Sequence, residues 1–135
     1  MTICPLYTIE DTKNCAISLA ENAKVTDVFL LEGDLGLGKT TFARFFIQHL
    51  CGSHTIVPSP TFTLVQTYDS PKGIIYHYDL YRLENYEEVY ELGIEESFYY
   101  GICLVEWPER VSSLKIPHAR TLKFYLEGNT RFLKI

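Results

Sequence analysis

Apolar positions recur along this chain with two periods, and the switches between them divide it into elements. Residues 2–7 predict a short edge strand. From Thr8 the period becomes helical: Ala16, Leu19, Ala20 and Ala23 share a face, and Thr8-Ile9-Glu10-Asp11 reads as a capping box. Val25 to Leu31 predicts a strand that stops at Gly33. Behind it a second helix carries Phe42, Phe45, Phe46 and Leu50 on one stripe and Ala43 and Ile47 on another, so it should be covered on two sides; Cys51-Gly52-Ser53 ends it.

The second half of the chain reads as strands broken by turns. Ile56 to Pro60 is a proline-pinned loop, and Thr61 to Tyr68 turns into a strand of β-branched and aromatic residues. Asp69-Ser70-Pro71-Lys72-Gly73 is a turn and Ile74 to Tyr81 the returning strand, which makes a hairpin with Asp79 near its far end. Asn85 caps a helix through Tyr86, Val89, Tyr90 and Leu92, closed by Gly93, with an acidic outer face from Glu84 to Glu96. Ile102 to Val105 is wholly apolar, as in a buried parallel strand, and ends at Glu106; Trp107 to Arg110 is a turn. Thr121 to Leu126 and Arg131 to Ile135, joined by Glu127-Gly128-Asn129-Thr130, form a last hairpin.

One junction carries chemistry. Gly33-x4-Gly38-Lys39-Thr40 lies between a strand and a helix, the context a phosphate-binding P-loop requires. Glycines 33, 36 and 38 permit tight turns that aim consecutive amides at an anion, and the helix start adds unpaired donors. Lys39 has the reach for the β- and γ-phosphates, and the Thr40 hydroxyl suits one position on Mg²⁺.

Such a loop needs an acidic partner at the end of a neighbouring strand. Glu106 and Asp79 are the two candidates, although a carboxylate there is also an ordinary surface residue. Thr61 is a candidate γ-phosphate sensor or, equally, a turn hydroxyl. Trp107 reads as packing, and His49, His54, His77 and His118 have no metal-ligand spacing and read as core or surface residues.

Composition narrows the classes. At 135 residues, one domain spanning 1–135 is expected. A net charge of −5 argues against clamping nucleic acid directly. No apolar run approaches a membrane span, the start Met1-Thr2-Ile3-Cys4-Pro5 lacks a secretion signal, and four scattered cysteines suggest packed, reduced thiols, so a cytoplasmic location is expected.

Gly-Asp-Leu-Gly-Leu-Gly-Lys-Thr-Thr at 33–41, Ser-Pro-Thr-Phe-Thr at 59–63, Tyr-His-Tyr-Asp-Leu-Tyr-Arg-Leu at 76–83, Glu-Leu-Gly-Ile at 91–94 and Val-Glu-Trp-Pro at 105–108 together resemble the TsaE family. These are small bacterial P-loop ATPases needed to make threonylcarbamoyladenosine in tRNA. The resemblance implies an α/β fold, a P-loop NTPase-like α/β/α sandwich on a mixed, mostly parallel sheet with β-hairpins. It also implies ATP and Mg²⁺. Asp34, Leu35, Gly36, Leu37, Gly38, Lys39, Thr40 and Thr41 would hold phosphates, and Thr12 and Arg131 would contact adenosine. Thr40 and Glu106 would bind Mg²⁺, Asp79 would serve hydrolysis or a metal water, and Thr61 would act as a switch. Leu37 stands where the family usually has alanine, a bulky side chain in the phosphate loop. The implied partners are a TsaD-like transferase and a TsaB-like subunit, with tRNA reached only through that complex and no membrane. ATP hydrolysis would activate or reset the pair as it modifies position 37 of tRNAs reading A-starting codons.

Other classes fit less well. A small-molecule kinase needs an arginine-rich lid and acceptor pocket, for which few arginines are spare. A GTPase needs Asn-Lys-x-Asp and Asp-x-x-Gly, which are absent. A non-catalytic nucleotide-binding scaffold is a further alternative.

Overall fold

A computed structural model of the chain describes residues 2–135. The wholly apolar stretch at 101–106 sits where such a run must, in the middle of a sheet with both faces covered. This strand, β5 (Gly101–Glu106), is buried at every residue. It lies between β2 (Val28–Glu32) and β4 (Gly73–Asp79), parallel to both. The remaining strands are β1 (Ile3–Leu6), β3 (Val65–Ser70), β6 (Ala119–Glu127) and β7 (Thr130–Lys134), and the sheet order is β1-β7-β6-β2-β5-β4-β3. Strands β1, β2, β4, β5 and β6 point one way, while β3 and β7 run against them. The sheet is therefore mixed and mostly parallel.

Alternation along the strands sorts side chains onto two faces. Phe29, Leu31, Ile75, Ile102, Leu104, Leu122 and Phe124 pack beneath α1 (Ile9–Asn22) and α2 (Lys39–Cys51). Val28, Tyr78, Cys103 and Val105 face the other way, onto α3 (Glu87–Glu91), α4 (Ile94–Tyr100) and a 3₁₀ turn at Pro108–Val111. The two-sided cover expected for α2 is present: Phe42, Ala43, Phe46 and Ile47 are buried between the sheet and α1. The capping box also forms, with Thr8 N donating to Asp11 Oδ2 at 2.9 Å and Asp11 N to Thr8 Oγ1 at 3.3 Å.

Several elements depart from the pattern reading. The helix expected through Leu92 and closed by Gly93 is present as α3, with Gly93 at φ 74° just past its end; α4, which starts from the same glycine, was not expected. Ile94, Ser97 and Phe98 give α4 a helical period, but exposed Tyr99 and Tyr100 mask it. Strand β2 starts at Val28 because Lys24 to Asp27 forms a turn, closed by Lys24 N donating to Asp27 Oδ2 at 3.0 Å. Strand β3 starts only at Val65, since Leu64 takes a left-handed φ of 68°. The last hairpin was expected; that β6 also lies parallel to β2 was not.

Helix α1 ends at Ala23 with no glycine and no basic residue in its last turn. Its terminal carbonyls are instead met from the β3–β4 turn. Lys72 Nζ donates to the carbonyls of Ala20, Glu21 and Ala23 at 2.9, 2.6 and 2.8 Å. A cation at this end also opposes the helix dipole. Lys72→Met should cost about 1–2 kcal/mol in urea unfolding, the range for charge-assisted bonds at a helix end. An unchanged midpoint would mean the lysine contributes nothing there.

Candidate functional site

The loop between β2 and α2 follows from three glycines. At Gly33 (φ 143°) a Cβ would lie 2.5 Å from the Phe124 carbonyl oxygen on β6, so no other residue passes there without moving a backbone. Gly36 and Gly38 take φ of 80° and 97°, which L-residues rarely adopt. Gly38 caps α2 with no side-chain bond to the helix amides, and no acidic residue lies in the first turn. The first amides of α2 are thus without a side-chain cap, an arrangement able to receive an anion.

The expected phosphate-loop side chains divide. Leu37 is 8% exposed and belongs to the core beneath α1 and α2, so it anchors the loop from below rather than filling it. Asp34, Leu35 and Gly36 are exposed at the rim. Leu35, Gly36, Gly38, Lys39, Thr40 and Thr41 line a cleft of about 430 Å³, and Thr61, Asp79, Glu106 and Arg131 line it too.

Parallel pairing brings the acids together. Asp79 and Glu106 end adjacent strands as register partners, and Glu106 is also opposite Leu31 at the end of β2. Carboxyl ends of parallel strands are where α/β sheets bind ligands. Both acids are almost wholly buried. Thr40 Oγ1 donates to Glu106 Oε1 at 2.7 Å, and His77 Nε2 meets Glu106 Oε2 at 2.6 Å. Asp79 Oδ1 accepts from Tyr81 N and Oδ2 from Thr61 Oγ1, each at 3.0 Å. With its own proton so used, Thr61 accepts from Ser59 Oγ at 2.7 Å.

Lys39 is buried, and its Nζ donates to the Gly33 carbonyl and lies 3.6 Å from the Trp107 ring centroid. Burial depresses its pKa from 10.5, while Glu106, Glu109, Asp79 and Asp34 pull the other way. Trp107 thus does more than pack: its face covers the lysine inside the cleft, held there by a left-handed φ of 60°.

Thr12 and Arg131 are brought to the same end. Strand β1 runs with β2, so its exit and the start of β7 both lie beside the loop. A second hollow of about 160 Å³ is lined by Thr8, Thr12, Gly38, Thr41 and Arg131, and Gly38, Thr41 and Arg131 border both spaces.

Sequence reasoning gave no site role to His77, read as core or surface, nor to Ser59, Tyr81 and Arg82; all four belong to this end of the sheet, His77 as a core residue. For His77 a signal existed: it lies two residues before Asp79 on a strand and so shares its face. The donor set of a hydroxyl and two carboxylates is all oxygen, the kind Mg²⁺ takes alongside phosphate and water. His77 Nε2 is engaged by Glu106 and adds nothing to it.

A family model described as "Threonylcarbamoyl adenosine biosynthesis protein TsaE" matches residues 6–133. The chain is 50% identical over 127 residues to the "tRNA threonylcarbamoyladenosine biosynthesis protein TsaE" of Rickettsia prowazekii, spanning 93% of this chain and 88% of that one. It is 45% identical to the Bacillus subtilis protein of the same name over 112 residues, 82% of this chain and 68% of the relative. The crystal structure of Bacillus subtilis YdiB superposes with a TM-score of 0.76 at 32% identity, covering 98% of this chain and 82% of that one.

A depressed lysine pKa means that charge on Lys39 costs folding energy below the folded-state pKa, a cost that vanishes as pH climbs past 10.5. Lys39→Met should therefore leave the ligand-free protein at least as stable as wild type in urea at neutral pH. It should also remove Lys39's contribution to any gain in stability as pH rises toward 10.5. A destabilised variant would show that the Gly33 and Trp107 contacts outweigh the burial cost.

Proposed function

The chain belongs to the TsaE family of tRNA threonylcarbamoyladenosine biosynthesis proteins, and we propose that it is that pathway's Mg²⁺-dependent P-loop ATPase, acting as one unit over residues 1–135. The observation that carries this reading is the convergence of an uncapped helix start, Lys39 and two buried strand-end carboxylates, one hydrogen-bonded to Thr40.

The amides from Asp34 to Thr41 and the Lys39 ammonium bind and orient the triphosphate of ATP. Thr40 Oγ1 and Glu106, now hydrogen-bonded to each other, would hold Mg²⁺, which would neutralise charge on the phosphates. Asp79 would orient the water that attacks, or would hydrogen-bond a water beside the metal. Thr61, bonded to Asp79 from the Ser59–Phe62 loop, makes that loop responsive to what fills the cleft. Thr12 and Arg131 contact adenosine beside the loop.

Turnover by the chain alone is slow in this reading. Arg82 and Arg131 line the cleft, but both are exposed, and among the described residues neither is in an ion pair. Arg82 rests over the exposed Phe62 ring at 4.6 Å. A TsaD-like transferase and a TsaB-like subunit complete the site, and ATP hydrolysis activates or resets that pair. The tRNA is met only through the complex, in the cytoplasm. Among the described residues no helix is long and apolar enough to cross a membrane.

Three measurements test this. Hydrolysis of ATP should be weak with the protein alone and rise when TsaB and TsaD are added; brisk turnover indifferent to them contradicts the reading. Depleting the protein should lower threonylcarbamoyladenosine in total tRNA. In calorimetry, Lys39→Ala should weaken ATP binding by about one to two orders of magnitude, the loss of a charge-assisted contact. Glu106→Ala should lose the Mg²⁺ dependence of binding before it loses nucleotide, and unchanged binding in both variants would discredit the site.

A further inference from the structure

Glu106 has two oxygens, and the fold assigns each a different neighbour. Oε1 faces the Thr40 hydroxyl at the cleft. Oε2 faces away, to His77 Nε2 at 2.6 Å, and the His77 side chain is fully buried. A carboxylate accepts, so the ring nitrogen that meets it carries the proton. The other nitrogen, Nδ1, is buried without a hydrogen-bond partner among the described residues. His77 pairs with Gln66 of β3 and Leu104 of β5 in mid-sheet, a position an apolar side chain would fill with no orphaned atom. Among the described residues the ring's one hydrogen bond is to the Glu106 carboxylate.

We propose that His77 is a positioning residue: its Nε2–H holds Glu106 Oε2, so that Oε1 stays turned toward Thr40 and the metal site. The inference rests on the Mg²⁺ role proposed for Thr40 and Glu106. Without that bond the carboxylate is free to rotate about its last torsion, and the oxygen presented beside Thr40 is no longer fixed. Partners of this kind, one bond behind a metal-holding group, typically set metal affinity within a factor of about 10–100. The strand supplies the placement, because residues 77 and 79 share a face and both lie beside β5. One short segment thus furnishes Asp79 for the cleft and the support for Glu106.

The test titrates Mg²⁺ into protein loaded with a non-hydrolysable ATP analogue, followed by calorimetry, and measures analogue binding in EDTA separately. His77→Leu should raise the Mg²⁺ half-saturation about tenfold or more while leaving metal-free binding of the analogue as in wild type. His77→Gln, whose amide N–H reaches in the direction of Nε2, should restore much of the loss. If His77→Leu does not fold, His77→Asn, too short to reach Glu106, takes its place with the same expectation. A wild-type Mg²⁺ response in the Leu or Asn variant overturns the proposal, as does a Gln variant no better than Leu. If wild type itself shows no Mg²⁺-linked binding, the assigned metal role fails and takes this inference with it. A wild-type response with unaffected variants removes only the role of His77.

Discussion

Parallel pairing of β4, β5 and β2 is the constraint on which the rest of the structure depends. It puts Asp79, Glu106 and the exit toward Gly33 side by side at one end of the sheet. Two acids and a lysine are thereby buried together, an arrangement that costs free energy unless each is paired or hydrogen-bonded. The surrounding chain meets that need. Thr40 and His77 take the two oxygens of Glu106, Thr61 and the Tyr81 amide take those of Asp79, and Gly33 and Trp107 receive Lys39. The clusters packed on both sheet faces are mainly apolar, and the two acids and Lys39 gather at one end of the sheet, with His77 reaching them from mid-sheet.

The loop geometry is set by the same sheet. Gly33 is obligatory because β6 lies parallel to β2 and brings the Phe124 carbonyl within 2.5 Å of where a Cβ would stand. Leu37 then ties the loop to the core, and the chain enters α2 at Gly38 with its first amides uncapped. A fold stabilised purely for itself would cap that helix and neutralise its lysine. This one leaves the first helix amides uncapped and buries a lysine whose charge burial disfavours, the pattern expected where stability is traded for binding.

Legibility in the sequence followed locality. The glycine-rich turn into α2 was readable because its glycines act through backbone geometry within a dozen residues, and the positions of Glu106 and Asp79 because each ends a recognisable strand. The capping box at Thr8 and the double stripe of α2 were equally local. What escaped was set at long range or masked. Strand β6 looks like half of a terminal hairpin, and only tertiary pairing shows its other edge against β2. Helix α4 was hidden by exposed tyrosines, and Trp107 and His77 gained their neighbours only when distant strands met. The resemblance to a family supplied Thr12 and Arg131, which no periodicity in the chain would have drawn to the loop.

The two carboxylates differ in how they are tethered, and under the proposed ATPase reading that difference divides their work. Glu106 is held between the first turn of α2 and a fully buried ring, both parts of the rigid framework. Asp79 is held by its own strand's exit and by Thr61, a residue of an irregular loop that also carries exposed Phe62. A metal-holding group benefits from fixed geometry, since a displaced ligand loses affinity directly. A group that orients a water benefits from a tether that can respond when the cleft fills, so that the water is placed only with nucleotide present. Rigid support behind Glu106 and loop support behind Asp79 match those separate demands. Exchanging the tethers would leave a metal site that drifts and a water-positioning group blind to what fills the cleft.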